Sequence, residues 1–416
     1  MSYFDYKKGQ LYCEGIPIKS LAAKFGTPLY VYSTHALTGQ FKILTRLFAG
    51  QRPLICYSVK ANSNLAILKL LIGQGAGLDI VSGGELYRAQ KAGCPAKRIV
   101  YASVGKTKKE IEEAVRYGIL MFNAESLSEL RVLDAVAGRL KKKVKVALRF
   151  NPDIEPGTHA YITTGKKETK FGLDEYTLQA VYLHPAAYPH LSIEGIHMHI
   201  GSQITKAAGF VKAVKKVKTL IARLDRRGIS VKTLNIGGGL GIPYDEEENS
   251  VVDEVKKQVI PFLKGMKVRL IIEPGRFIAG NSGVMVTRVI YVKDTPHKRF
   301  VIVDGAMNDL ARPSLYGAYH RIIPVSRNAR RTTLDARRVD VVGPVCETGD
   351  FLGKNRDLNV TEGEYLCVMS AGAYGFTMSS QYNSRCRAAE VLVNGTNARL
   401  IRKRETYKDL ITKELV

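Results

Sequence analysis

PLICYSVKANSNLAILKLLIGQGAGLDIV, residues 53–81, is the stretch from which the fold can be read. PLICYSV (53–59) is an apolar run of strand length, and so is AGLDIV (76–81). Between them NLAILKLLIGQG spaces its apolar residues by three and four, the period of a helix packed on one face. Strand, helix, strand in that order is the repeating unit of a parallel sheet. The first strand delivers a lysine, Lys60, into a turn of small polar residues. Such a cation is ordinarily just solvated, so a chemical role for it has to be supported elsewhere in the chain.

The same rhythm runs outward in both directions. PLYVYS (28–33), RIVYAS (98–103), ILMFN (119–123), KVKVALRF (143–150), SIEGIHMHI (192–200), KTLNIG (232–237) and VRLIIE (268–273) read as strands. Helix-like segments separate them, among them SLSELRVLDAVAGRLKKK, whose Ser126 three residues before Glu129 is a capping signal. About eight alternations imply an α/β fold with a closed (β/α)8 barrel; an open doubly wound sheet competes, but no G-x-G-x-x-G follows the early strands. After about residue 280 the pattern changes. GVMVTRVIYVKD, RFVIVDG, RVDVVGPVCE, EYLCVMS and AAEVLVNG are strand-like with turn-rich joins, which predicts a second, mostly antiparallel β domain. The expected division is 1–30 as a segment pairing with that β domain, 31–280 as the barrel, and 281–416 as the β domain.

Composition narrows the function classes. Of 416 residues 45% are hydrophobic and 24% charged, ordinary globular values. No eighteen-residue apolar run appears and the first residues lack a targeting pattern, so the expectation is a cytoplasmic protein without a membrane span. Six cysteines without a CxxC pair suggest neither a disulfide framework nor a zinc site. The net charge of +25 is carried by dispersed lysines and arginines with no aromatic-interleaved basic stripe, so no nucleic-acid partner is expected.

Barrel chemistry sits where strands end. Lys60 follows the first quoted strand, Asp79 lies late in AGLDIV, Arg149 ends KVKVALR, and His197 and His199 close SIEGIHMH. Three glycines (237–239) follow KTLNI, and Glu273, Gly275 and Arg276 form EPGR after VRLII. Glycines after a strand leave amides able to face an anion, and Ser202 in GSQ adds a hydroxyl. His-x-His raises metal binding, but the remaining histidines do not supply a ligand set, so no metal is expected. A neutral imidazole flat against a cofactor ring is the better use. A buried Glu273 beside a pyridine nitrogen would keep it protonated. Lysine, anion cradle, carboxylate and flat ring together describe a site for pyridoxal 5′-phosphate. Lys60 would carry it as an imine, with burial lowering the pKa of the amine.

At this point a resemblance carries further. CYSVKAN, GLDIVSGGEL, HMHIGSQ, NIGGGLGIPY, EPGR, CETGDFLGKNR and SAGAYGFTMSSQYNSR resemble the fold-type III (alanine-racemase-like) pyridoxal-phosphate-dependent amino-acid decarboxylases, over roughly residues 10–410. The last of these motifs is similar to the branch acting on meso-diaminopimelate, in the final step of lysine biosynthesis. The resemblance implies that Lys60 carries the cofactor, His199 stacks on its ring and Glu273 pairs with the ring nitrogen. It implies phosphate contacts from Ser202, Gly238, Gly239, Gly275, Arg276 and Tyr374. Substrate contacts fall to Arg276, Arg312, Tyr316, Glu347 and Tyr374, and proton donation to Cys346. It also implies a homodimer with shared active sites, the Cys346–Glu347 segment entering from the partner. Glu347 stands where the ornithine branch has aspartate, and Cys386 where many relatives have proline. Asp79 and Arg149 could brace the lysine region or be structural. The competing readings are a decarboxylase of ornithine, arginine or carboxynorspermidine, a racemase, a non-catalytic regulatory homologue or, last, a nucleic-acid binder.

Overall fold

The computed structural model describes residues 3–155, 164–165, 169–245, 251–327 and 337–415, which form two compact units. Residues 40–242 with 249–277 hold a closed barrel of eight parallel strands. In chain order these are Leu54–Ser58, Gly77–Ile80, Ile99–Tyr101, Met121–Ala124, Val144–Arg149, Leu191–His197, Thr233–Asn235 and Arg269–Ile272. The ring closes where Ile271 and Ile272 pair with Leu54 and Ile55. Strands covered on both faces need apolar residues on both, so they read as continuous runs rather than alternations. Cys56, Val100, Met121, Ala147 and Ile271, from five of the strands, are buried in one cluster. Each large aliphatic side chain so buried contributes about 1.5–3 kcal/mol.

Side-chain caps start several of the helices soon after the strands end. Asn64, Ser82, Thr107 and Ser126, and farther from its strand Asp174, each accept an amide hydrogen bond from the first turn of the following helix. The Ser126 start behaves as its spacing suggests, with one variation. The Glu129 carboxylate reaches back to the Glu125 amide, at 2.9 Å, rather than to that of the capping residue. Early caps leave the strand-end side chains little freedom, which is what a site at the barrel mouth requires. Among the described residues no helix is long and apolar enough to cross a membrane.

The other unit comprises residues 1–39, 243–248 and 278–416. A nine-stranded sheet dominates it, in the order Phe351–Leu358, Arg337–Val342, Arg299–Val303, Gly283–Asp294, Leu29–Ser33, Ala389–Asn394, Asn397–Arg402. Tyr365–Val368 also pairs with Gly283–Asp294, and Ile322–Pro324 with Tyr365–Val368. Most pairings are antiparallel; Arg299–Val303 with Arg337–Val342, and Leu29–Ser33 with Ala389–Asn394, are parallel. The N-terminal strand Gln10–Cys13 joins this unit through the Leu11 amide, which donates to the Val325 carbonyl at 2.8 Å.

The segment 28–33, grouped by its rhythm with the barrel strands, is the correction here. Leu29–Ser33 lies in this sheet, all five of its residues buried. Leu29 and Val31 pack with Val284, Val286, Val391 and Val393. Tyr30 and Tyr32, on the other face, stack at 6.2 Å and donate their hydroxyls to Asp309 O and Glu390 Oε1. A fully buried strand looks the same in either kind of sheet.

Candidate active site

Lys60 sits in the 3-10 turn Val59–Ala61, directly after the strand Leu54–Ser58. Its Nζ donates to Asp79 Oδ2 at 2.6 Å, and Ser58 Oγ lies 2.7 Å from the same oxygen. Asp79 is wholly buried while the lysine side chain is 39% exposed, so the expectation of a buried lysine does not hold. Burial raises the Asp79 pKa, as does nearby Glu273, and Lys60 opposes both. The structure thus makes Asp79 the brace for Lys60, a role left undecided by the spacing alone. Glu85, which a reading of motifs passes over, accepts from the Val81 amide at 2.7 Å; burial pushes its carboxyl up to about 7 against the pull of Lys60.

Glu273 follows the last barrel strand and is buried. Asn123 and Asn235, from two other strands, donate to its Oε1 at 2.9 and 2.6 Å, and His197 Nε2 lies 3.2 Å from its Oε2. Burial alone would raise this carboxyl's pKa, but His197, Lys60 and Asn235 outweigh burial and hold it well below the usual range. It is an anion inside the barrel at neutral pH. Asn123 closes ILMFN and Asn235 opens NIGGGLGIPY, yet neither was given a role. The signal available was their shared place near strand ends.

The two histidines of HMH divide their work. His197 serves Glu273, while His199 Nδ1 accepts from the Gly238 amide at 3.2 Å. Burial first, then Arg149 and Lys60, push the His199 pKa down to about 3, so its ring is neutral near pH 7. Arg149 pairs with Glu125 at 2.6 Å and lies over the Phe171 ring at 4.5 Å.

The glycines are required by close packing. A Cβ on Gly238 would stand 2.1 Å from the Glu273 carbonyl oxygen, and one on Gly239 2.4 Å from that of Gly201. Gly239 also has φ +98°, where other residues are strained. Nearby, the Arg276 guanidinium donates to Ser202 Oγ at 3.1 Å, and Gly275 is buried immediately before Arg276–Ala279. The barrel mouth therefore carries an anion-binding pair, an amine with its counter-ion, a fixed carboxylate and a neutral imidazole. Two of its buried atoms, Asp79 Oδ1 and His197 Nδ1, have no hydrogen-bond partner among the described residues. This donor set fits a phosphorylated pyridine aldehyde.

In the sheet unit Cys346 is exposed, its amide donating to Asn383 Oδ1 at 3.0 Å. Glu347 accepts from the Tyr382 hydroxyl. Asp350 pins this loop by accepting from the Val345 and Met307 amides, both at 2.7 Å. Arg312 and Tyr316 begin and end one short helix, Arg312 buried and Tyr316 half-buried. Tyr374 is half-buried at φ 57°.

Residues 35–280 match the family model for the pyridoxal-binding domain of pyridoxal-dependent decarboxylases. Over 99% of this chain and 97% of the relative, the sequence is 50% identical to a diaminopimelate decarboxylase of Aquifex aeolicus. The chain belongs to the diaminopimelate decarboxylase family. Crystal structures agree with that membership. The Helicobacter pylori family member, solved in complex with L-lysine, is 39% identical with a TM-score of 0.90, covering 95% of this chain and 99% of that one. The M. jannaschii member, also solved with L-lysine, is 36% identical with a TM-score of 0.92 over 99% and 98% of the two chains. Fold-type III architecture, a barrel with a separate and mostly antiparallel sheet, is common to the family and to this chain.

Proposed function

We propose that this protein decarboxylates meso-2,6-diaminopimelate to L-lysine and CO2 with pyridoxal 5′-phosphate as cofactor. The observation that carries this reading is the pairing of Lys60 with Asp79 in one barrel mouth with an anionic Glu273, in a chain of this family. When bound, the cofactor supplies a protonated ring that draws electrons from the substrate α-carbon. Lys60 would anchor it, Glu273 would keep the ring nitrogen protonated, and neutral His199 would cover a ring face. Ser202, Gly238, Gly239, Gly275, Arg276 and Tyr374 would hold its phosphate.

Diaminopimelate has two amino-acid ends, so one reacts while the other is recognised. Arg276 and Arg312 suit the distal carboxylate through bidentate pairing, Glu347 suits the distal ammonium, and Tyr316 and Tyr374 complete the contacts. As CO2 leaves, the electron pair left on carbon takes a proton from Cys346 Sγ, and the thiolate recovers one from solvent. A thiol can be protonated at neutral pH and still acidic enough to give the proton up. The exposure of Cys346 supports delivery to a second subunit. The reading therefore includes a homodimer with shared sites, in the cytoplasm.

Two measurements test this. Against meso-diaminopimelate, ornithine, arginine and carboxynorspermidine, CO2 release should favour the first by at least about a hundredfold in kcat/KM, the discrimination expected when buried charged groups go unpaired with the wrong substrate. Equal turnover of ornithine would overturn the assignment. Mixing Lys60→Ala with Cys346→Ala protein should restore up to about a quarter of wild-type activity, because random pairing makes half the dimers mixed and each of these has one intact site. Mixed dimers that remain inactive would rule out sharing.

A further inference from the structure

Arg312 is held in a manner no motif announces. It is buried, and its Nη1 lies 2.8 Å from Nε2 of His320, a histidine with no exposed surface. The other ring nitrogen, Nδ1, lies 2.8 Å from the Met369 carbonyl oxygen. That carbonyl is itself fixed, since the Met369 amide donates to Arg321 O at 2.8 Å. The Tyr244 ring lies beneath the Arg312 guanidinium, Cζ to centroid 4.9 Å, and meets the His320 ring edge-on at 5.3 Å and 83°. All these residues belong to the sheet unit.

Donor and acceptor rules fix the state of this imidazole. A carbonyl only accepts, so Nδ1 carries the proton; a guanidinium only donates, so Nε2 must be bare. His320 is therefore neutral and in one tautomer, and it holds the edge of the guanidinium while Tyr244 supports its face. Neither adds negative charge. A carboxylate in the place of His320 would orient the arginine equally well but would cancel the charge that an anionic ligand seeks.

We propose that His320 and Tyr244 are positioning residues that set the plane of the Arg312 guanidinium, and so set selectivity for ligands carrying a distal carboxylate. The inference rests on the reading that Arg312 takes that carboxylate. L-Lysine retains the group and 1,5-diaminopentane is the same chain without it, so the pair isolates the contact. In the holoenzyme, His320→Leu should raise the inhibition constant of L-lysine about tenfold, the value expected for a lost hydrogen bond to a charged group, and leave that of 1,5-diaminopentane in place. His320→Gln, whose Oε1 can still accept from the guanidinium, should recover part of the loss. Tyr244→Leu should shift the same ratio in the same direction. Arg312→Met is the reference for the underlying reading. If it leaves the lysine-to-diaminopentane ratio unchanged, the carboxylate assignment itself fails. If Arg312→Met changes the ratio and His320→Leu does not, or if His320→Leu weakens both ligands equally, the positioning role is overturned while the carboxylate reading stands.

Discussion

Lys60→Ala should give a folded protein that releases no detectable CO2 from meso-diaminopimelate, a loss of at least about a thousandfold in kcat/KM. The fold should tolerate the change. The lysine side chain is 39% exposed in a turn and fills no core volume, so its removal leaves no cavity. Asp79 loses its cation, but burial already raises its pKa, and it can take up a proton in place of staying charged. The chemistry should not survive, since no other described lysine is paired with a buried aspartate at the end of a barrel strand. Thermal melting followed by circular dichroism separates folding from function. Borohydride treatment in the presence of the cofactor, followed by peptide mass analysis, should place a pyridoxyl group on Lys60 of the wild type and none on the variant. Label on a different lysine, or activity above about one per cent of wild type, would refute the anchor.

Strand-end chemistry was legible because a parallel barrel simplifies its own reading. Buried strands are apolar throughout, so a charged or polar residue at the end of one stands out, as Lys60, His199 and Glu273 do. What sequence did not settle was pairing in space. Leu29–Ser33 is as apolar as any barrel strand, and only its partners, Gly283–Asp294 and Ala389–Asn394, place it in the other sheet. Asp79 gained its role once the adjacent strands set Ser58 opposite it. Asn123 and Asn235 were missed because a neutral amide looks like any polar strand end until a carboxylate is brought to it. The expectation of a buried Lys60 failed for the same kind of reason. It did not foresee the Asp79 carboxylate, which holds the lysine at 2.6 Å in a turn where its side chain stays 39% exposed. The glycines 237–239 illustrate a convergence. Read as an anion cradle, they are equally demanded by the carbonyls of Met198, Glu273 and Gly201, which leave no room for a Cβ.

Glu273→Gln removes charge and little else, which makes it the sharper test of the electronic side of the proposal. Glutamine keeps the volume, its Oε1 can still accept from Asn123 and Asn235, and its amide can donate to His197 Nε2. Lys60, Ser202 and Arg276 are untouched, so the variant should still take up the cofactor and be labelled by borohydride at Lys60. Its kcat should nevertheless fall about a hundredfold or more, because the anion that would hold a proton on the ring nitrogen is gone from a low-dielectric interior. Stability should also fall, with a defined sign. The folded carboxyl sits well below the usual range, so its ionised form stabilises the wild type wherever the unfolded group is also ionised. That contribution is fully present above the unfolded value of about 4.3 and is lost only as pH drops towards the folded one. The gap in melting temperature between wild type and Glu273→Gln should therefore be constant from about pH 8 to pH 5 and narrow below about pH 4. A variant that binds the cofactor and turns over within a few-fold of wild type would show that the buried anion is structural, and that the electron-withdrawing state of the ring is maintained by some other group.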